Sequence, residues 1–212
     1  GSHAKAQFAG QSLQLQTSLV GQFNAYNAAA AAAVGLVLDI PAEKVATGVA
    51  SLKAVPGRME SINAGQDFGV VVDYAHTPDA LKNVLSTLQQ VTKGKVIAVF
   101  GATGDRDKAK RPIMGEVAAK YADHIFLTDD ETYTENPDTI RAAVMKGIAN
   151  VGATKKTTEV ADRKQAIQAA FKMAKKGDVV LLAGLGHQDY RAMGGKNMPW
   201  DERQVAHELL KK

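Results

Sequence analysis

At 212 residues, with 45% apolar and 23% charged residues, the chain has the composition of one large globular domain or one domain with an appendage. A net charge of only +4 and 6% aromatic residues exclude the concentrated basic face and stacking surface of a bulk nucleic-acid binder, and favour anionic small molecules. The absence of cysteine excludes disulfide frameworks, thiolate metal sites and cysteine nucleophiles and fits a reducing compartment, while no apolar run reaches membrane-spanning length and no signal peptide is visible.

Gly1-Ser2-His3 reads as the scar of a cleaved tag and is set aside. Gln11–Thr17 alternates polar and apolar residues and predicts a half-exposed strand. The six alanines Ala28–Ala33 predict a buried helix over 25–38, because alanine is the best helix former and lets helices pack closely. Pro41 then opens a second helix that runs to about Leu52. Two helices with so little to bury read as the tail of a larger domain. Val55-Pro56-Gly57 reads as a linker, and Arg58–Asn63 with Phe68–Tyr74 as a hairpin.

From there strands and helices alternate. Helices are predicted at 78–91, capped by Thr77 with Pro78 in its first turn, at 110–121, at 137–149, from Asp162 to about Lys176, and at 201–211. Strands are predicted at 95–100, 124–128, 157–160 and 179–183. Strand and helix in turn at these lengths give parallel βαβ units. The expected fold is α/β: a Rossmann-like, mostly parallel sheet with helices on both faces and an N-terminal hairpin, preceded by a small mainly helical piece.

Four loops follow four strands at one edge of such a sheet, where α/β proteins bind ligands. Asp73-Tyr74-Ala75-His76-Thr77-Pro78-Asp79 ends a run of valines; Asp73 and Thr77 serve there either as helix caps or as ligand groups. Gly101–Arg111 combines small residues with dense charge, either to orient a polar ligand or as a solvated turn. Thr128–Glu135 is acidic, which suits a cation or a solvated turn equally. Gly184-Leu185-Gly186-His187-Gln188 opens the backbone beside His187, a structural or a catalytic histidine. No Walker-type phosphate loop, Gly-x-Gly-x-x-Gly fingerprint, Gly-x-Ser-x-Gly elbow or His-Glu-x-x-His pair occurs, so the cleft reads as half of a site.

These loops in this order, together with Gly21-Gln22-Phe23-Asn24-Ala25-Tyr26-Asn27 and Pro56-Gly57-Arg58-Met59-Glu60, resemble the Mur ligases, the ATP-dependent amino-acid ligases of peptidoglycan precursor synthesis. The resemblance covers nearly everything after residue 3 and is nearest to members that add the third amino acid to UDP-N-acetylmuramoyl-dipeptide. It implies that 4–54 is the end of a central ATPase domain and 55–212 a complete C-terminal, amino-acid-binding domain. It implies a cytoplasmic ligase that uses ATP and Mg2+, both held mainly by a part outside this chain, and that activates the precursor carboxylate as an acyl phosphate. The segment alone is expected to be inactive and monomeric, without nucleic-acid or membrane partners. Cyanophycin synthetase and folylpolyglutamate synthase share this domain and are the rival ligases, and a non-catalytic nucleotide-binding module is the rival of another class.

The same resemblance implies residue roles. Asn27, Arg58, Asp73, His76 and Thr77 match positions on the ATP side. Arg106 matches the residue that binds the incoming amino acid's carboxylate, and Asp130, Glu131, Tyr133, Gly184 and Gln188 match the rest of the amino-acid site. No catalytic residue and no metal ligand is assigned. Lys108, Lys110 and Arg111 are expected to be helix-start and surface charges. Diaminopimelate-adding members carry Asp-Asn-Pro-Arg where this chain has Asp130-Glu131-Thr132-Tyr133, and the family usually has glutamate where this chain has Gln188. The missing arginine and the neighbouring acids make L-lysine or ornithine the expected amino acid.

Overall fold

A computed structural model describes residues 1–8 and 11–211, which form two compact units, 1–55 and 56–212. In the first unit, β1 (Ser2–Phe8) pairs antiparallel with β2 (Gln11–Thr17), followed by α1 (Gln22–Val37) and α2 (Ala42–Ser51). The sequence reading set Ser2 and His3 aside, but both stand in the register of β1, opposite Thr17 and Gln16. Leu13, Leu15, Ala32 and Val45 make a small core. The alanine-rich helix, expected from its composition to be buried, is covered on one side only. Only the stripe Asn24, Ala28, Ala32 and Gly35 is covered, and Tyr26, Val34 and Val37 are exposed. Alanine packs closely on one side and costs nothing on the other, so composition alone does not report coverage.

The second unit begins with the short strand β3 (Glu60–Ser61), antiparallel to β4 (Gly69–Asp73). It continues α3 (Pro78–Val91), β5 (Val96–Phe100), α4 (Lys110–Tyr121), β6 (His124–Leu127), α5 (Pro137–Asn150), β7 (Thr157–Glu159), α6 (Arg163–Met173) and β8 (Val179–Ala183). A separate hairpin, β9 (Tyr190–Met193) with β10 (Lys196–Pro199), precedes α7 (Glu202–Leu210). The sheet order is β3-β4-β8-β5-β6-β7, parallel apart from the β3 edge. The predicted α/β sheet is the observed one.

Every residue of β5 and β8 is buried, as their unbroken apolar runs require of strands covered on both faces. Val96, Ala98 and Phe100 join Leu81, Met114 and Val144 in one core, on the face of α3, α4 and α5. Ile97 and Val99 point the other way, toward Ile167 of α6 and Val205 of α7. Helices α4 and α5 approach until a Cβ at Gly147 would collide with the Pro112 carbonyl. Thr77 caps α3 by accepting from the Ala80 amide at 3.3 Å, and Asp162 caps α6 through Gln165 at 2.8 Å. These caps and packings bring the loops after β4, β5, β6 and β8 to one edge of the sheet.

A buried ion pair fastens the last helix. Arg163, fully enclosed, donates from Nη2 to Glu202 Oε1 at 2.7 Å, from Nε to both Glu202 oxygens at 3.0 and 3.1 Å, and from Nη2 to the Ala183 carbonyl at 2.8 Å. Removing one charge of such a pair strands the other in a medium that cannot solvate it. Glu202→Gln is expected to destabilise the unit by about 3 kcal/mol in urea unfolding. Gln204→Ala, on the exposed side of α7, should stay within about 0.5 kcal/mol of the parent.

Candidate functional site

The four loops surround a cleft of about 390 Å³. Eight of the eleven residues proposed from sequence line it: His76 and Thr77 from the first loop, Arg106 from the second, Asp130, Glu131 and Tyr133 from the third, and Gly184 and Gln188 from the fourth. Three do not. Asn27 lies in the first unit, where its amide donates to Asn24 Oδ1 at 3.3 Å. Arg58 is exposed and stacks over the Tyr74 ring, 5.0 Å from its centroid. Asp73 is buried, and its two carboxylate oxygens accept from the Met59 amide at 2.7 Å and the Ala75 amide at 2.8 Å. Burial raises its pKa, against the pull of those two hydrogen bonds. Asp73 thus ties the loop after β4 to the segment before β3.

The second and third loops are laced together. The Gly104 amide donates to the Glu131 carbonyl at 2.7 Å, and Asp105 Oδ2 accepts from the Thr134 amide and hydroxyl at 3.0 and 2.8 Å. Glu135 accepts from the Asp105 amide at 2.6 Å and from both terminal nitrogens of Arg111 at 2.8 and 3.0 Å. Arg111 is buried and also donates to the Thr103 carbonyl at 3.1 Å, so it is no surface charge, contrary to the expectation above. Lys110 is half-buried, lines the cleft and donates to the His76 carbonyl at 2.9 Å. Its partial burial lowers its pKa, which Asp130 and Asp107 oppose. Sequence alone gave no sign of either role, because a helix-start lysine and arginine are exposed by default. Of that trio only Lys108 is exposed, 3.5 Å from Glu135.

Arg106 stands at the mouth of this lacework. Its guanidinium lies over the Tyr133 ring, 4.7 Å from the centroid, and reaches the Tyr133 hydroxyl at 3.4 Å. It is exposed, and its partner is a ring rather than a carboxylate. The acidic third loop is neither a solvated turn nor a row of free carboxylates. Asp129 pairs with Arg141, Glu131 Oε1 accepts from the Ala192 amide at 3.1 Å, and Asp130 Oδ1 accepts from the Glu131 amide at 2.7 Å. Asp130 Oδ2 is buried without a hydrogen-bond partner, 3.8 Å from Arg163 Nη1. It faces Gly184, where a Cβ would collide with that carboxylate and where φ is +119°.

The cleft therefore offers two cations, Arg106 and Lys110, and two enclosed carboxylates, Asp130 and Glu131, among its lining residues. That arrangement can grip a zwitterion and orient an amine. His187 is exposed and packs at 5.6 Å against the Tyr74 ring, which His76 meets edge-on at 4.6 Å. Among the described residues no group of three or more histidine or acidic side chains could hold a metal ion, so no step is assigned to magnesium at this site. The described helices include none long and apolar enough to cross a membrane.

The lacework has a pH signature. Hydrogen bonding to Arg111 holds the Glu135 carboxyl at about 2, below its ordinary 4.5. A depressed carboxyl contributes stability that is complete above the unfolded value and is lost as pH falls from 4.5 through about 2. Glu135→Gln is expected to flatten the fall of stability over that window, read by urea unfolding across pH, while the parent loses stability more steeply.

Comparison with known proteins agrees with this geometry. Residues 57–186 match the family described as Mur ligase, glutamate ligase domain. A UDP-N-acetylmuramoyl-L-alanyl-D-glutamate–2,6-diaminopimelate ligase of Solibacter usitatus is 45% identical over 210 residues, 97% of this chain and 41% of that protein. A solved structure of an enzyme of the same name superposes with a TM-score of 0.71 at 32% identity, over 99% of this chain and 45% of that one. Mycobacterium tuberculosis folylpolyglutamate synthase complexed with ADP and AMPPCP shares the fold, with a TM-score of 0.64 at 17% identity over 85% of this chain and 44% of that one. The chain spans about two-fifths of the length of the curated relatives it matches. On the family match across most of its second unit, the chain belongs to the Mur ligase family.

Proposed function

We propose that the whole protein carrying this chain is an ATP-dependent amide ligase that adds the third amino acid to UDP-N-acetylmuramoyl-dipeptide, and that residues 56–212 bind the incoming amino acid. The observation that carries this reading is that Arg106, without a carboxylate of its own, lines the same cleft as the enclosed acids Asp130 and Glu131. ATP supplies the phosphoryl group that activates the precursor's carboxylate. This chain's residues hold the nucleophile. Arg106 binds the α-carboxylate, a task suited to a planar two-pronged donor. Asp130 and Glu131 hold a distal ammonium, with Tyr133, Gly184 and Gln188 shaping the walls. Anchored at both ends, the amino acid presents its α-amine in one orientation, and that restriction is the chain's share of the catalysis.

The ATP side is assigned to His76 and Thr77 at the cleft, to Arg58 stacked on Tyr74, and to Asn27 in the first unit. Asp73 acts there by fixing the backbone at Met59 and Ala75. Residues 4–54 belong, on this reading, to a central ATPase domain and 55–212 to the C-terminal domain. ATP use is in keeping with the nucleotide-bound folylpolyglutamate synthase, whose fold this chain shares.

The acids favour L-lysine or ornithine, whose side chains end in an ammonium. The relatives named for diaminopimelate support a second reading. That amino acid adds a distal carboxylate, and Lys110, at the cleft wall, is the cation placed to meet it. An ATP-dependent ligation assay of the whole protein with lysine, ornithine, diaminopimelate and glutamate decides between them. Preference for lysine or ornithine supports the first reading, preference for diaminopimelate the second, and no amide product with any of the four overturns the ligase assignment.

Arg106→Ala is expected to raise KM for the amino acid. A hydrogen bond between charged partners contributes about 1.5–3 kcal/mol, and about 2 kcal/mol is roughly thirtyfold. KM for ATP should stay within about twofold.

A further inference from the structure

The hairpin β9–β10 puts none of its residues against the cleft, yet it holds the loop that does. Arg191 of β9 is buried, and its Nη2 donates to the carbonyls of Asp129 at 2.8 Å and Asp130 at 3.0 Å. Those two carbonyls belong to the peptide planes on either side of the Asp130 Cα. One guanidinium nitrogen thus fixes both planes, and with them the direction in which the Asp130 side chain leaves the backbone. The guanidinium in turn lies over the Trp200 ring, 4.8 Å from its centroid, and the Trp200 indole donates to Glu202 at 2.6 Å. The residue after Arg191 completes the hold: the Ala192 amide donates to Glu131 Oε1 at 3.1 Å, and the Ala192 carbonyl accepts from the Tyr133 amide at 2.9 Å.

We propose that Arg191 is a positioning residue for amino-acid selection, which aims the Asp130 and Glu131 carboxylates at the ligand's distal ammonium by holding the backbone on both sides of Asp130. This rests on the amino-acid-binding reading of the cleft. Arg191 itself touches no ligand. A purely structural strut would change stability and every kinetic constant together. A positioning residue moves the constants of one substrate.

Two variants and two readouts test this. In the 212-residue chain, Arg191→Met is expected to speed amide exchange at Glu131 and Tyr133 by about tenfold or more, with Val99 and Leu181 in the sheet unchanged. Exchange that stays within about twofold at both loop amides overturns the proposal. In the whole ligase, Arg191→Met should raise KM for the preferred diamino acid about tenfold, with kcat and KM for ATP within about twofold, and Arg191→Lys should recover most of the loss. An unchanged amino-acid KM, or an equal loss in all constants, overturns it. If the parent ligase makes no amide with any amino acid, it is the ligase assignment that fails, and the exchange measurement alone decides the role of Arg191. Should Arg191→Met not fold, Trp200→Leu removes the ring beneath the guanidinium and keeps its charge. It is expected to shift the same two amides in the same direction, and no shift overturns the proposal.

Discussion

Three consecutive acids, Asp129, Asp130 and Glu131, are drawn into the protein, and the rest of the site is arranged around what that costs. An enclosed carboxylate needs an opposite charge or a set of hydrogen-bond donors. The three answers come from three different elements. Arg141 of α5 meets Asp129, Arg163 of α6 stands 3.8 Å from Asp130, and the β9 backbone at Ala192 meets Glu131. Arg191, also from β9, takes the carbonyls of Asp129 and Asp130. The loop after β6 is therefore not a connection draped on the surface. It is held from α5, α6 and the hairpin, and α6 is in turn fastened to α7 through Glu202.

This explains why parts of the molecule far apart in sequence have to be present together. Glu202 accepts from both Arg163 and Trp200, and Trp200 lies beneath Arg191. One carboxylate on the last helix thus supports the two arginines that flank Asp130. The charges balance locally, Arg163 and Arg191 against Asp130 and Glu202. On the proposed reading, a cation entering the cleft would meet a carboxylate whose counter-charge already stands behind it, so binding would not need to reorganise the loop.

The sheet was legible in the sequence because its signals are strong and local. Unbroken apolar runs at Val96–Phe100 and Val179–Ala183 have no reading but covered strands or short buried helices, and their length chose strands. Thr77-Pro78 and Asn136-Pro137 marked helix starts by their chemistry. The β9–β10 hairpin was missed, although Gly194-Gly195 between two short runs is a turn signal. Its strands are four residues long, and all of β10 is exposed, so no apolar pattern supported the turn. Most of the residues that line the cleft were legible from motif order. The residues that hold them were not. Arg111, Arg163 and Arg191 are buried only because a partner is buried with them, and pairing is a property of the folded chain.

The charged residues that line the cleft are enclosed to different degrees. Asp130 and Glu131 are enclosed and fixed from behind, whereas Arg106 is exposed and rests on an aromatic ring. Yet the backbone that carries Arg106 and its ring is not free. Asp105 at φ +51° and Tyr133 at φ +48° both occupy the left-handed region, at a cost of roughly 1–2 kcal/mol each for a residue with a Cβ. Asp105 is kept there by Thr134 and Glu135, and Tyr133 by Ala192 on one side and Gly195 on the other. Strain of this kind persists only where surrounding hydrogen bonds over-determine the backbone, and such places tend to be binding sites. The arginine's head is thus exposed, while the backbone that carries it is held by hydrogen bonds on both loops. On the proposed reading of the cleft, a ligand carboxylate would meet a guanidinium already delivered to its mouth, with only its last torsions left to set.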